Sequence, residues 1–221
     1  MRLLICNSKN WFSLNKEIND FYSIKEISRK EDLNEKLIQD FKPDYIFFPH
    51  WNWIVDKKIH QNQNCIVFHT SPLPYGRGGS PIQNLILKGY EHTPVCALKM
   101  TSEIDSGPIY GQISISLEGK LETIFLRINN AINKLIIKIV NNQVIPLPQE
   151  GETHSFKRLT EKNNEIPMEI SLKEIYDRVR MVDHKDYPNA YIIYGNNKIE
   201  FYNASLSNEY IDLKCKIKKL K

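Results

Sequence analysis

Apolar and polar positions along the first half of the chain alternate in blocks that are typical of strands and helices. Continuous apolar runs at 2–6, 45–48 and 65–68 predict buried strands. Apolar residues at helical spacing between the first two runs predict a helix over 31–41. Because strands and helices alternate, we expect an α/β fold with a doubly wound, mostly parallel sheet.

The pattern changes after residue 140. Apolar positions at helical spacing predict a long helix over 121–140, and the next stretch, 141–151, holds asparagines, prolines and a glycine. Such residues are typical of a loop between domains. We therefore predict a larger N-terminal domain at 1–150 and a small C-terminal subdomain at 151–221.

The C-terminal stretch has the pattern of a small α+β unit. An amphipathic helix is predicted at 171–182, and strands at 190–194 and 198–204 flank the turn residues Gly195, Asn196 and Asn197. This spacing is a strong hairpin signal. The lysine-rich tail 214–221 could hold a phosphate or a membrane surface, but we expect a solvated, frayed terminus.

Composition changes this picture little. The 221 residues are 41% hydrophobic and 25% charged, which is ordinary for a globular protein. The net charge of +4 is too small to indicate nucleic acid by itself. The four cysteines form no CxxC pair, so buried thiols in a reducing cytoplasm are expected. No apolar run is long enough to predict a signal peptide or membrane insertion.

The most informative stretch surrounds His69. A buried strand delivers this histidine to its C-terminal end, the glycine-rich loop 76–79 follows, and Ser80 then has the position of a cap for a helix over 80–88. A strand end followed by a glycine loop and a helix start is the usual place for a site in an open α/β sheet.

Two interpretations of these residues stay open on the sequence alone. His69 could transfer a proton or stabilise an oxyanion, with Asp105 orienting it, or both residues could bind local backbone groups. The segment 50–53, His-Trp-Asn-Trp, could line a pocket for a flat heterocycle or pack as a loop over the core.

Other chemistries find little support. The histidines at 50, 60 and 69 lack the spacing of metal ligands and no carboxylates join them, so no metal is predicted. A dinucleotide GxGxxG is absent after the first strand, and the chain contains no GxSxG nucleophile motif.

Two sequence motifs favour the catalytic interpretation of His69 and Asp105. His69 begins the run His-Thr-Ser-Pro-Leu-Pro-Tyr-Gly-Arg-Gly-Gly-Ser-Pro-Ile-Gln, and Ile104-Asp-Ser-Gly-Pro-Ile follows later. These two motifs in this order resemble the formyltransferases that use 10-formyltetrahydrofolate, which act on methionyl-tRNA, glycinamide ribonucleotide or amino sugars. The details look closest to the sugar N-formyltransferases of nonulosonic (pseudaminic) acid pathways.

The resemblance implies N-formylation of the 4-amino group of a nucleotide-linked amino-dideoxy sugar, with folate as the second partner. It implies no nucleic-acid partner, because the stretch after residue 150 looks too short for the C-terminal domain of the tRNA enzyme. A homodimer is a further expectation. The alternatives are a glycinamide ribonucleotide or methionyl-tRNA formyltransferase, or a non-catalytic nucleotide-sugar-binding relative.

The resemblance also assigns residues. The catalytic set implied is His69, Asp105 and His50. The residues implied for the folate are Pro49, Trp51, Asn52, Trp53, Met100, Thr101 and Ile104. The residues implied for the sugar nucleotide are Thr70, Tyr75, Gly76, Arg77, Gly78, Gly79, Ser80 and Gln83.

One position departs from the family pattern. The resembling enzymes carry an asparagine two residues before the histidine, and this chain has Val67 there. Valine cannot donate a hydrogen bond to an oxyanion, and one such donor is worth on the order of a hundredfold in rate. Among His50, Asn52 and Thr70, we expect His50 to replace it, because it ends the strand predicted to neighbour that of His69.

Overall fold

A computed structural model describes residues 1–220. Among them, no helix has the length and apolar character needed to cross a membrane. The strands, numbered in chain order, are β1 Arg2–Asn7, β2 Ser23–Ile27, β3 Tyr45–His50, β4 Cys65–His69, β5 Tyr75–Gly78, β6 His92–Lys99, β7 Ile109–Ser116, β8 His154–Phe156, β9 Ala190–Tyr194, β10 Asn197–Leu206 and β11 Ile211–Lys219.

Most helices connect or follow these strands. They are α1 Lys16–Phe21, α2 Glu35–Phe41, α3 Lys57–Asn62, α4 Pro81–Leu87, α5 Leu121–Asn142 and α6 Leu172–Arg180. Local signals explain their ends: Asn34 caps α2 by accepting the Leu37 N–H at 2.9 Å, and α6 begins with a reciprocal capping box between Ser171 and Glu174.

The central sheet has six strands in the order β2-β1-β3-β4-β6-β7. The first four run parallel, and β6 then pairs with β4 in the antiparallel direction. This arrangement confirms the predicted α/β fold with a mostly parallel sheet. It follows that the start of β6, not its end, lies beside the C-terminal end of β4, with Cys96 opposite His69.

Buried apolar side chains fill both faces of the sheet. The adjacent residues Leu3 and Leu4, and likewise Phe47 and Phe48, point to opposite faces and are all fully buried, as expected for parallel strands covered by helices. The helical pattern in the longest helix is also confirmed, because its apolar face is buried at Ile124, Ile128, Ile132, Leu135, Ile136 and Ile139.

The chain divides into two compact units. The first contains residues 1–78, 93–115 and 125–155, and so includes nearly all of the central sheet. The second contains residues 79–92 and 116–124 together with the chain from Phe156 onward.

Within the second unit, β9, β10 and β11 form an antiparallel sheet against which α6 packs. The predicted hairpin of β9 and β10 is confirmed, with Tyr194 opposite Asn197. The expectation of a frayed tail is wrong for 214–219, because this part of β11 pairs with β10; residue 221 lies outside the described residues. Buried Arg180 secures α6 by donating to the carbonyls of Leu117 and Gly119.

Candidate active site

His69 contacts a backbone carbonyl through one ring nitrogen and a carboxylate through the other. It ends β4 with its side chain only 7% exposed, and its Nε2 lies 2.8 Å from the carbonyl oxygen of Gly76. Its Nδ1 lies 3.3 Å from Oδ2 of Asp105. The structure thus brings together the histidine and the aspartate that the two sequence motifs supplied.

The contact with Gly76 fixes which ring nitrogen donates. A carbonyl oxygen only accepts, so the Nε2 of His69 must carry a proton to bond Gly76. The other ring nitrogen, Nδ1, faces the Asp105 carboxylate. His69 therefore presents an N–H donor at Nε2 and an acidic neighbour at Nδ1.

Asp105 sits in an unusual backbone conformation. Its φ is 52°, in the left-handed region, which costs an ordinary residue about 1–3 kcal/mol. Its Oδ2 accepts the N–H of Gly78 at 2.9 Å as well as facing His69. Strain of this kind is typical of functional sites, where neighbouring contacts hold the residue in place.

The glycine two residues later explains the Asp-x-Gly motif. A Cβ atom at Gly107 would lie 1.8 Å from the carbonyl oxygen of Lys99, which no side chain can tolerate. The close approach coincides with the bond from the Lys99 N–H to the carbonyl of Pro108. Glycine is therefore required for the loop 100–108 to close.

This loop brings Asp105 to His69 from the opposite end of the sheet. Because β6 is antiparallel to β4, it ends beside the start of β4, where the Met100 N–H bonds the Cys65 carbonyl. The loop must then return along the sheet to reach the histidine.

Arg77 and Gln149 complete the surroundings of Asp105. Arg77 donates from Nε and Nη2 to Oε1 of Gln149, at 3.1 and 2.8 Å. The Nε2 of Gln149 donates to the backbone carbonyls of Asp105 and Gly107, at 2.8 and 2.9 Å. Sequence reasoning missed Gln149, because it lies in the stretch taken as a domain boundary and belongs to no motif.

The structure places His50 at the end of β3, a neighbour of β4 in the sheet. Its Nδ1 lies 3.1 Å from the hydroxyl of Ser8, and its ring meets Trp11 edge-on at 6.0 Å. Val67 is half-buried against a core cluster of the first unit. The replacement of the family asparagine by His50 stays a prediction.

The residues expected to hold the folate come from two segments, 49–53 and 100–104, and each segment packs a side chain against the same core cluster. Trp51 and Met100 both pack against the cluster that contains Phe48 and Cys65. Trp51 and Trp53 meet edge-on at 4.9 Å. The remaining members of the set are buried Pro49, exposed Asn52, exposed Ile104 and Thr101, whose hydroxyl bonds Ser106 at 2.9 Å.

The residues expected to hold the second substrate divide between the two units. In the first unit, Gly76 and Gly78 have φ values of 86° and 97°, which favour glycine and turn their backbone groups toward His69 and Asp105. Tyr75 stacks on His154 at 4.8 Å, and the Thr70 carbonyl accepts the Thr93 hydroxyl.

Gly79, Ser80 and Gln83 belong to the second unit. A Cβ at Gly79 would lie 2.6 Å from Arg158, so the backbone passes too closely for any other residue. The expectation that the Ser80 side chain caps α4 is wrong, because its Oγ accepts the Leu159 N–H instead. Ser80 and buried Gln83 line a cavity of about 70 Å³, far below the ~300 Å³ of a typical ligand pocket.

Metal-ligating side chains are not clustered in this structure. Residues 1–220 contain no group of three or more histidine, cysteine, aspartate or glutamate side chains that could hold a metal ion. The arrangement instead offers a paired acid and base, His69 and Asp105, beside backbone groups of a glycine loop.

Comparison with known proteins places this geometry in a family. Residues 3–140 match the family described as formyl transferase, which is more than half of the chain. The chain belongs to the formyl transferase family. Residues 161–218 of this formyl transferase match a second family, described as the C-terminal domain of methionyl-tRNA formyltransferase.

Individual relatives give the same picture. A methionyl-tRNA formyltransferase of Campylobacter lari is 31% identical over 172 residues, which cover 76% of this chain and 56% of the relative. The chain spans about half the length of the curated relatives it matches.

Two solved structures extend the comparison. The methionyl-tRNA formyltransferase from Clostridium thermocellum is 37% identical with a TM-score of 0.93, and the match covers 99% of both chains. HypX from Aquifex aeolicus in complex with tetrahydrofolic acid shares the fold, at 17% identity and a TM-score of 0.82, over 95% of this chain and 38% of HypX.

These findings confirm one level of the sequence prediction and correct another. The formyltransferase family and enzyme class are confirmed, and the family uses 10-formyltetrahydrofolate, the donor that the resemblance implied. The predicted nucleotide-sugar partner and the exclusion of nucleic acid are wrong, because the C-terminal match and the named relatives point to tRNA.

Two reasons underlie this error. Sugar N-formyltransferases of known structure do match, but at 20% identity or less, so they share the fold alone. The stretch after residue 150, judged too short for the tRNA enzyme, nevertheless contains the match to its C-terminal domain.

Proposed function

We propose that this formyl transferase moves a formyl group from 10-formyltetrahydrofolate to the α-amino group of methionyl-tRNA. The observation that carries the choice of acceptor is the match of residues 161–218 to the C-terminal domain of methionyl-tRNA formyltransferase. The Clostridium thermocellum enzyme of the same name, alike over 99% of both chains, supports it.

The His69–Asp105 pair supports the chemical part of the proposal. The folate supplies the formyl carbon bound to its N10; the new bond joins that carbon to the amine, and the carbon–N10 bond breaks. Asp105 accepts the proton released by the amine, and the Nε2–H of His69 donates to the formyl oxygen, where negative charge grows. The proton that the amine loses is the one that N10 gains, which completes the exchange.

The same pair must release one contact before it acts. Both ring nitrogens of His69 are engaged, Nε2 with Gly76 and Nδ1 with Asp105. We propose that the formyl oxygen takes the place of the Gly76 carbonyl at Nε2, while the contact between Nδ1 and the Asp105 carboxylate persists. The positive φ of Gly76 leaves that peptide more freedom than a side-chain-bearing residue would have.

The residues expected to hold the folate, in segments 49–53 and 100–104, fit 10-formyltetrahydrofolate as the formyl donor. Trp51 and Trp53 offer aromatic surface, and Met100 packs on the same cluster as Trp51. Aromatic and apolar side chains with a few polar groups are typical of sites for flat heterocycles. We propose that these three residues, with Pro49, Asn52, Thr101 and Ile104, hold the folate.

A lysine-bearing sheet face in the second unit fits the nucleic acid. Cross-strand pairing puts Lys214, Lys216 and Lys218 on one face, opposite Tyr202, Glu200 and Lys198. Lys218 is paired with Glu200 at 2.6 Å. Lys214 and Lys216 are exposed and make no ion pair with any residue in 1–220, so both remain available to phosphates.

This assignment gives the predicted division at residue 150 a functional meaning. We propose that residues 1–150 perform the transfer and that 151–221 contribute to recognition of the tRNA. Three of the four cysteines are buried and free, which fits a reaction in a reducing cytoplasm.

The decisive experiment is a formyl-transfer assay on the purified chain. With 10-formyltetrahydrofolate and methionyl-tRNA, we expect N-formylmethionine on the tRNA, detected by mass spectrometry after hydrolysis. Free methionine and glycinamide ribonucleotide should give no product, and His69→Ala should abolish transfer. Absence of formylmethionine with the wild-type chain, under conditions where a reference enzyme is active, would overturn the proposal.

A further inference from the structure

Gln149 connects the two loops that form the candidate site. It lies beyond α5, outside both sequence motifs, yet its side chain contacts residues of each. We propose that Gln149 is a positioning residue for formyl transfer, whose amide holds Asp105 in line with His69. The kinetic part of this inference rests on the proposed function.

The amide of Gln149 is fully used. Its two N–H groups go to the carbonyls of Asp105 and Gly107, and its oxygen accepts both bonds from Arg77. An amide side chain has two donors and two acceptor positions, so none is left for solvent. The side chain is therefore fixed by four bonds, and it fixes the backbone on either side of Ser106.

The chain around Gln149 is anchored on both sides. Before it, Leu147 exchanges two backbone hydrogen bonds with Ile109, at 2.7 and 3.0 Å, just after the Asp105 loop. After it, the His154 N–H bonds the carbonyl of Pro74 at 3.2 Å, just before Gly76. Gln149 thus has a fixed starting point from which to hold Asp105.

Asp105 needs such a restraint because its own conformation is unfavourable. At a φ of 52° the residue tends to relax toward negative φ, which would rotate its side chain away from His69. The bond from Gln149 is made to the Asp105 carbonyl itself, so it opposes this rotation directly. Loss of the amide would leave two carbonyls without their donor and free the carboxylate to move.

Two substitutions separate the contacts of Gln149. Gln149→Glu keeps the acceptor for Arg77 but places a second oxygen against the carbonyls of Asp105 and Gly107. Gln149→Ala removes both contacts. If the bonds to the loop are what matter, the glutamate variant must be as defective as the alanine variant, although only the glutamate variant keeps the oxygen that accepts from Arg77.

Kinetics give the first measurement. For both variants we expect kcat to fall roughly ten- to a hundredfold, as for a misplaced catalytic group, with KM for both substrates within about twofold. Glu150→Gln, at the exposed neighbouring position, is the matched control and should behave as wild type. A Gln149→Glu variant with wild-type kcat would overturn the proposal.

A double-mutant cycle tests whether Gln149 acts through Asp105. In an Asp105→Asn background, Gln149→Ala should cause little further loss, because the carboxylate that it positions is already gone. If the two losses multiply in full, Gln149 acts independently of Asp105 and the proposal fails. Gln149→Met, which keeps the side-chain length, replaces the alanine variant if that variant does not fold.

Nitrogen-15 NMR of the His69 ring provides a readout that needs no substrate. In the wild type we expect a His69 Nδ1 chemical shift that depends on the nearby Asp105 carboxylate, assigned by the absence of the signal in His69→Gln. Both Gln149 variants should shift or broaden this signal, whereas Glu150→Gln should leave it unchanged. An unchanged signal in both variants would refute the positioning role, even if the chain formylated no acceptor tested.

Discussion

At the scale of single residues, the candidate site depends on backbone conformations that few residue types can adopt. Gly76 and Gly78 have positive φ, which directs a carbonyl at His69 and an N–H at Asp105, and Asp105 also has a positive φ without being glycine. Gly107 contributes differently, through the absence of a Cβ beside Lys99.

The close approach at Gly107 gives a first prediction. Gly107→Ala should lower the free energy of unfolding by about 3 kcal/mol or more, because the new methyl group overlaps backbone rather than a flexible side chain. Gly111→Ala is the matched control: its Cβ would meet two side-chain atoms, the Leu135 Cδ2 at 3.3 Å and the Lys138 Nζ at 3.7 Å, and should cost about 1 kcal/mol. Urea unfolding measures both, and equal losses would contradict the argument.

His50 gives a second residue-scale prediction. If it replaces the donor lost at Val67, His50→Ala should lower kcat by about a hundredfold, the cost of one oxyanion donor. His92→Ala, at an exposed histidine, should have no effect. Turnover that survives in His50→Ala, while His69→Ala abolishes it, would exclude His50 from the reaction. The hydrogen-bond donor that is missing at Val67 would then have no known replacement.

The sequence could supply some of these residues and not others. His69 and Asp105 belong to motifs whose glycines are required by the backbone geometry, so the sequence identifies them. No motif identifies Gln149, because its partners include two backbone carbonyls, which any residue provides. Its other partner, Arg77, lies in a distant motif with its own expected role.

At the scale of elements, the exposed lysines of β11 form a surface whose role in tRNA binding can be tested. The double variant Lys214→Ala, Lys216→Ala should weaken tRNA binding and reduce the slope of log affinity against log salt by about one per lysine lost. KM for methionyl-tRNA should rise while kcat stays near wild type. Fluorescence anisotropy at several salt concentrations measures the slope.

The control for this surface is Lys36→Ala, an exposed lysine on α2. It should leave both affinity and salt slope unchanged. The lysines also have a plainer explanation, since charged residues protect an edge strand against unwanted pairing. An unaltered salt slope in the double variant, with aggregation on storage, would favour that explanation over tRNA binding.

Strands with continuous apolar runs were predictable, whereas strands defined by their partners were not. β1, β3 and β4 are buried on both faces and their composition shows it. β5 contains two glycines and exists because β8 pairs with it, and β11 is lysine-rich and exists because β10 does. The antiparallel direction of β6 also depends on topology that no local pattern records.

At the scale of the whole molecule, the distribution of cysteines predicts a simple thiol count. Cys6, Cys65 and Cys96 are buried and Cys215 is exposed. Burial raises the pKa of Cys65 and Cys96 to about 12 and raises that of Cys6 as well, which suppresses their reactive thiolates. One thiol should therefore react rapidly with a disulfide reagent in the native chain, and four in denaturant.

Cys215→Ser is the check on this count. The variant should lose the rapid phase entirely and show three thiols after denaturation. A second rapidly reacting thiol in the native wild type would mean that the core around β1 and β4 opens more readily than its burial indicates.

The position of Gln149 has a consequence for synthesis on the ribosome. A nascent chain that has emerged only as far as Asn142 already contains His69, Asp105 and both motif loops. It lacks the segment that bonds Ile109 and Pro74 and carries the amide between them. Since chains fold from the N-terminus as they emerge, the sheet can form first, and the site acquires its working geometry only when the residues beyond α5 arrive.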